Sequence, residues 1–146
     1  MRLLTCALLT ALVALGCRDT RQSANLIPVT GTVTLNGKPL DNAVVSFLPQ
    51  GDTRGGGGGS PTDAAGKYEL HSKDGKGMVP GSYKVTISRR LMPDGSIPKR
   101  DVPPAESPAR ESLPPQYSDQ EQTTLTATIA AGVGPIDFAL KSGSRP

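Results

Sequence analysis

The chain has 146 residues, a formal charge of +3, five aromatic residues (Phe47, Phe138, Tyr68, Tyr83 and Tyr117) and no Trp, against 17 Gly and 14 Pro. The length admits one domain once a leader and a tether are subtracted, and the scarce aromatics point to a lean core of Val, Leu, Ile and Ala. The charge is too small and too scattered to argue for nucleic acid, and the Gly and Pro usage favours short strands joined by turns over helices.

Met1-Arg2 is a minimal positive start, and Leu3 to Leu15 is an apolar run of 13 residues. That run is too short to span a hydrocarbon core of roughly 30 Å as a helix, and it reads as an export signal. It ends in Ala14-Leu15-Gly16-Cys17. A small residue just before a cysteine at the end of a short signal resembles the bacterial lipobox, although Ala14 stands where that family prefers Leu. The resemblance implies cleavage between Gly16 and Cys17, a diacylglyceryl group on the Cys17 thiol and acylation (palmitate or similar) of the new amine. The only other cysteine, Cys6, lies inside the leader, so the mature chain has one cysteine and no internal disulfide. Lipid attachment explains that odd cysteine in an exported protein. Each buried methylene contributes about 0.8 kcal/mol, so two or three acyl chains anchor the chain for good. Residues 1–16 are therefore expected to be the signal peptide, and residues 17–27 the lipidated cysteine and a flexible tether.

The expected domain is 28–141. Val29, Gly31, Val33 and Leu35 alternate with Thr30, Thr32 and Thr34, the period of a half-buried strand. Asn36-Gly37 is a strong hairpin signal, and Lys38 to Asn42 is expected to continue the turn. Ala43 to Leu48 reads as a second strand with Val45 and Phe47 inward, ended by Pro49. Gly55 to Gly59 is a run of five glycines, expected to be a floppy loop because glycine loses the most entropy on ordering. It lacks the Gly-Lys-Ser/Thr of a phosphate loop. Asp63 is placed to close an Asx-type turn with Gly66 at positive φ, before a strand with Tyr68 and Leu70 on one face. Val79 to Ser82 reads as a turn, followed by a strand with Tyr83, Val85 and Ile87 inward.

Residues 89–115 hold seven prolines, charges of both signs and no periodicity. Proline cannot donate to a ladder, so this is a long loop, either mobile or a specific contact site. Gln116-Tyr117-Ser118 reads as a short edge strand. Leu125, Ala127 and Ile129, then Ile136, Phe138 and Leu140, make the last inward faces. Residues 142–146 are a frayed tail.

Six strands, or seven, at near-regular spacing make an all-β sandwich. Val29-Thr30-Gly31-Thr32-Val33, Asn36-Gly37-Lys38-Pro39-Leu40, Ala43 to Phe47, Thr62 to Tyr68 and Val79 to Val85 resemble the carboxypeptidase regulatory-like or transthyretin-like family, over residues 28 to 88. The pair at 116–140 resembles small planctomycete-type lipoproteins that share this domain. The resemblance implies a Greek-key, prealbumin-like sandwich and no catalysis.

The only histidine, His71, sits beside a turn and cannot assemble a zinc site or a Ser-His-Asp triad by itself. The C-terminus, Ser142 to Pro146, lacks the Tyr-Arg-Gly-Ser of the hydrolytic relatives of transthyretin. Asp63, Asp74 and Asp94 each precede a glycine and read as turn formers rather than calcium ligands. The expectation is a non-enzymatic, cofactor-free and metal-free protein of the bacterial envelope. It would be held in membrane lipid by Cys17, facing the periplasm or cell surface, and would bind an envelope protein through its Thr- and Lys-rich strands or the 89–115 loop. The alternative is a module for a small ligand or carbohydrate on an open sheet edge.

Overall fold

The computed structural model describes residues 25–99, 101–103 and 105–142. The described residues are all-β, with one short helical turn. In order the elements are β1 (Thr30–Leu35), β2 (Lys38–Pro39), β3 (Val44–Pro49), β4 (Gly58–Pro61), β5 (Lys67–Glu69), β6 (His71–Ser72), β7 (Gly75–Lys76), β8 (Gly81–Ser88), β9 (Arg90–Leu91), β10 (Arg110–Glu111), α1 (Pro115–Ser118), β11 (Thr126–Ile129) and β12 (Phe138–Leu140).

These strands form a six-stranded antiparallel sheet in the order β11-β8-β3-β4-β6-β7, a smaller sheet β12-β1-β2 in which β5 also pairs with β1, and the ribbon β9-β10. The longest pairing of the large sheet is β3–β8, in register from Val44↔Ser88 to Pro49↔Tyr83. In the small sheet, the C-terminal strand β12 lies parallel to β1, with Val33 opposite Phe138 and Leu35 opposite Leu140.

The alternation read from the sequence holds. Val33, Val45, Phe47, Tyr68, Tyr83, Val85, Ile87, Ile129 and Leu140 are all buried and join one core between the two sheets. That core is less lean than composition implies. Four of the five aromatics occupy inward strand positions, and the Phe47 ring lies 5.9 Å from Tyr83 and 6.3 Å from Phe138. Tyr68 stacks on Phe138 at 6.5 Å. Each buried phenol donates to a backbone carbonyl, Tyr68 to Ile136 at 2.6 Å and Tyr83 to Val79 at 2.7 Å, which removes the penalty of burying a hydroxyl.

Three turn expectations are met. Asn36 (φ 52°) and Gly37 (φ 78°) form the two-residue hairpin, and Gly66 (φ 73°) takes the left-handed position. The Asp63 carboxylate accepts from the backbone N–H groups of Ala65 and Lys67, both at 2.8 Å.

Four expectations fail. Lys38-Pro39 does not continue the turn: it is the return arm β2, where proline is tolerated because the strand is at an edge. Gln116-Tyr117-Ser118 belongs to the helical turn α1, started by Pro115 at a position where its missing N–H is harmless. Gly81 and Ser82 are not turn residues but the start of β8.

The largest difference is the glycine run. Gly58 and Gly59 are part of β4, paired on one side with Phe47 and Ser46 and on the other with Ser72 and His71. Glycine is used here for close approach. A Cβ on Gly57 would lie 2.5 Å from the Phe47 carbonyl oxygen, one on Gly58 would lie 2.6 Å from the His71 oxygen and against the Met78 sulfur, and one on Gly59 would lie 2.9 Å from the Val45 oxygen. The neighbouring backbones occupy the volume a side chain would need.

Candidate functional site

The 89–115 segment is tied down at its base. Arg89 donates from Nη2 to the Asp41 carboxylate at 2.6 Å and from Nε to the Asp41 carbonyl at 2.9 Å. With the Asn42 side-chain amide also donating to Asp41, and the Arg89 charge beside it, the carboxyl is held below the usual carboxylate range. On the other arm, Glu111 Oε2 accepts from the Ser88 hydroxyl at 2.5 Å. Glu111 Oε1 accepts from the N–H groups of Arg89 (3.0 Å), Ser112 (3.0 Å) and Leu113 (2.9 Å). Opposite Glu111 stands Arg90, and opposite Arg110 stands Leu91, which closes the ribbon β9–β10. Arg90 donates to the Ala109 carbonyl at 2.6 Å. Ala109 and Leu113 are buried. Between the two ribbon strands the described residues form the long loop read from the sequence, while a ribbon and a carboxylate knot hold its ends, because polar side chains supply the acceptors and donors that prolines cannot.

This segment leans over the outward side of the large sheet and encloses a groove with two adjoining hollows. One, of about 310 Å³, is lined by Asn42, Val44, Pro61, Ser88, Arg90, Ile97 and Pro98. The other, of about 360 Å³, is lined by Val44, Arg90, Pro98, Lys99, Val102, Ser107 and Ala109. Val44, Arg90 and Pro98 are common to both.

Three large aliphatic side chains are conspicuously exposed among the described residues: Val44 (48%), Ile97 (48%) and Val102 (38%). All three line this groove. Scattered exposed aliphatics are ordinary, but a group gathered in one concavity marks a contact surface. Sequence reasoning named the loop but missed Val44. Its signal is an aliphatic residue at the outward position of β3, joined by two lone aliphatics in an otherwise polar loop.

A second cleft, of about 430 Å³, runs along β5 between Thr30, Thr32, Pro61, Asp63, Lys67, Glu69 and Pro135. Burial, with the nearby Asp137 charge, pushes the Tyr68 phenol beneath it far above the usual range.

Other singled-out residues are not brought together. His71 is exposed on β6. Asp63 and Asp94 close local turns, the latter accepting from Ser96 N–H at 2.9 Å and Oγ at 2.7 Å. Among the described residues no three His, Cys, Asp or Glu side chains converge as a metal site, and no helix is long and apolar enough to cross a membrane. Gly16 and Cys17, the expected cleavage and lipidation site, lie outside the described residues.

The groove and the start of the described chain are separated along the sheet. Ile27 exchanges hydrogen bonds with Met78, whose sulfur lies beside Gly58 at one end of β4. Pro61, which lines the groove, is at the other end, about 10 Å further along the strand.

Comparison with known protein families, with curated proteins and with solved structures finds no match to this chain.

Proposed function

We propose that this chain is a non-enzymatic lipoprotein of the bacterial cell envelope, anchored through acylated Cys17, whose Greek-key, prealbumin-like sandwich presents the Val44 groove to a protein partner. The carrying observation is the gathering of Val44, Ile97 and Val102 along one groove of two adjoining hollows, under a loop whose base is fixed by Arg89–Asp41 and Glu111. The sandwich reading is supported by two sheets that share one core, with the chain crossing between them after β2, after β4, at Leu70 and again before β12. A tether entering near Gly58 and a groove near Pro61 suit a module that displays its contact surface away from the membrane.

A photoreactive residue at position 44 or 97, installed in cells, tests the docking reading. Cross-links to a discrete envelope protein from both positions, and none from position 30, support it. The cleft along β5 favours the alternative, a module for a small ligand or carbohydrate: there, saccharide binding would be lost on blocking Thr30 and Thr32 and kept on blocking Val44. Silence at both places sinks both readings.

Mass spectrometry of the native chain tests the anchor. Loss of residues 1–16 with a lipid-sized mass on Cys17 is the expected result, and an intact leader or an unmodified thiol refutes it. Cys17→Ser is expected to leave the chain released or unprocessed without unfolding the β domain.

A further inference from the structure

The charges on the groove are one-sided. Arg90, whose guanidinium is fixed by the Ala109 carbonyl, is shared by the two hollows, and Lys99 lines one of them. Among the described residues no Asp or Glu lines either hollow, although the loop carries Asp94, Asp101, Glu106 and Glu111. Arg90 also lines a neighbouring hollow with Glu111, which stands opposite it in the ribbon, and with Asp119, so the positive charge particular to this groove is that of Lys99.

We infer that the groove takes an extended peptide segment of its partner that carries aliphatic side chains next to an Asp or Glu. The aliphatic side chains fill the two hollows over Val44, Ile97 and Val102, and the carboxylate sits between Arg90 and Lys99. This rests on the docking reading above and adds the chemistry of the occupant. Two features suit a peptide. The groove is a pair of adjoining hollows of about 310 and 360 Å³ that share Val44, Arg90 and Pro98, room for several side chains of one extended segment. It also lies on the outer side of β3, a strand hydrogen-bonded on both edges by β8 and β4. Recognition is therefore by side chains and charge, with no strand added to the sheet.

The test is selection of random nine-residue peptides, displayed on phage, against the full chain in nonionic detergent, with affinities of the winners measured by fluorescence anisotropy. The expected winners combine Leu, Ile or Val with Asp or Glu. Their binding falls at least tenfold in Val44→Asp, and about tenfold in Lys99→Glu, whose position is exposed and whose urea midpoint is unchanged. Lysine in place of the peptide's acid weakens binding to the native chain and restores it to Lys99→Glu. Raising salt from about 50 to 500 mM weakens the acidic winners.

Winners that need Val44 but are basic or uncharged, or whose binding ignores Lys99→Glu and salt, overturn the acidic assignment and leave the docking reading standing. If no selected peptide depends on Val44, both fall. If laurate binds in a Val44-dependent manner and no peptide does, both fall in favour of an acyl carboxylate ligand.

Discussion

The glycine run offers the sharpest test of the fold, because two positions two residues apart are expected to respond with opposite sign. In Gly58→Ala the new Cβ meets the His71 carbonyl oxygen at 2.6 Å and the sulfur of fully buried Met78. An ordinary carbon–oxygen approach is about 3.3–3.6 Å, so β6 must retreat by well over half an ångström and the Met78 sulfur must also shift. Retreat strains the pairings Gly58↔Ser72 and Gly59↔His71, and movement of Met78 disturbs the core. Overpacking of this kind costs about 1–3 kcal/mol. The lower entropy of the unfolded alanine chain gives back about 0.4–1 kcal/mol. The net loss is about 1.3 kcal/mol, a fall of roughly 4–7 °C in Tm for a domain of this size. In Gly56→Ala the Cβ meets only the flexible Lys73 side chain, at 3.6 Å, and the backbone there is not left-handed. Only the entropic part remains, and the chain gains about 0.4–1 kcal/mol. Differential scanning calorimetry and urea unfolding read both. If Gly58→Ala is neutral or stabilising, the run is the floppy loop that its composition suggests, and β4 does not bridge β3 and β6.

Thr62→Val keeps the shape but removes a buried hydroxyl that donates to Leu40 O at 2.6 Å and accepts from Ala43 N at 3.0 Å. It is expected to lower the urea-unfolding free energy by about 1–3 kcal/mol, and an unchanged midpoint would contradict the staple. Asp41→Asn removes a carboxylate whose folded pKa is depressed by the Asn42 hydrogen bond and the Arg89 charge. Its contribution is present above the unfolded pKa of about 4 and lost as pH falls through the folded value. The variant is therefore expected to lose less stability than the native chain between pH 5 and pH 2, measured by urea midpoints. Burial raises the phenol pKa of Tyr68 and of Tyr83, so the stability they confer is intact below pH 10 and lost above it. In an alkaline absorbance titration both should ionise later than in the urea-unfolded chain, and superposable curves would show that these rings are not buried.

Local patterns sufficed for much of this protein. Period-two alternation picked the inward faces of β1, β3, β8, β11 and β12, because a strand with one wet face must alternate. Asn36-Gly37 and Asp63…Gly66 named their turns because those side chains and φ angles act within four residues. The leader at residues 1–16, the lipid anchor at Cys17 and the envelope location are proposals that rest on the sequence, since residues 1–24 lie outside those described. Tertiary structure decided the rest. Whether Gly55 to Gly59 is slack or strand depends on whether two other backbones come close enough to exclude a side chain, and no property of glycine by itself says so. The parallel pairing of β12 with β1 joins residues about a hundred positions apart, which no local signal encodes. The groove arises because Glu111, Arg89 and Asp41, distant in sequence, fix both arms of a proline-rich loop over Val44. Each residue is unremarkable in its own neighbourhood. Only the fold turns one outward valine and two loop aliphatics into a single apolar surface rimmed by two cations.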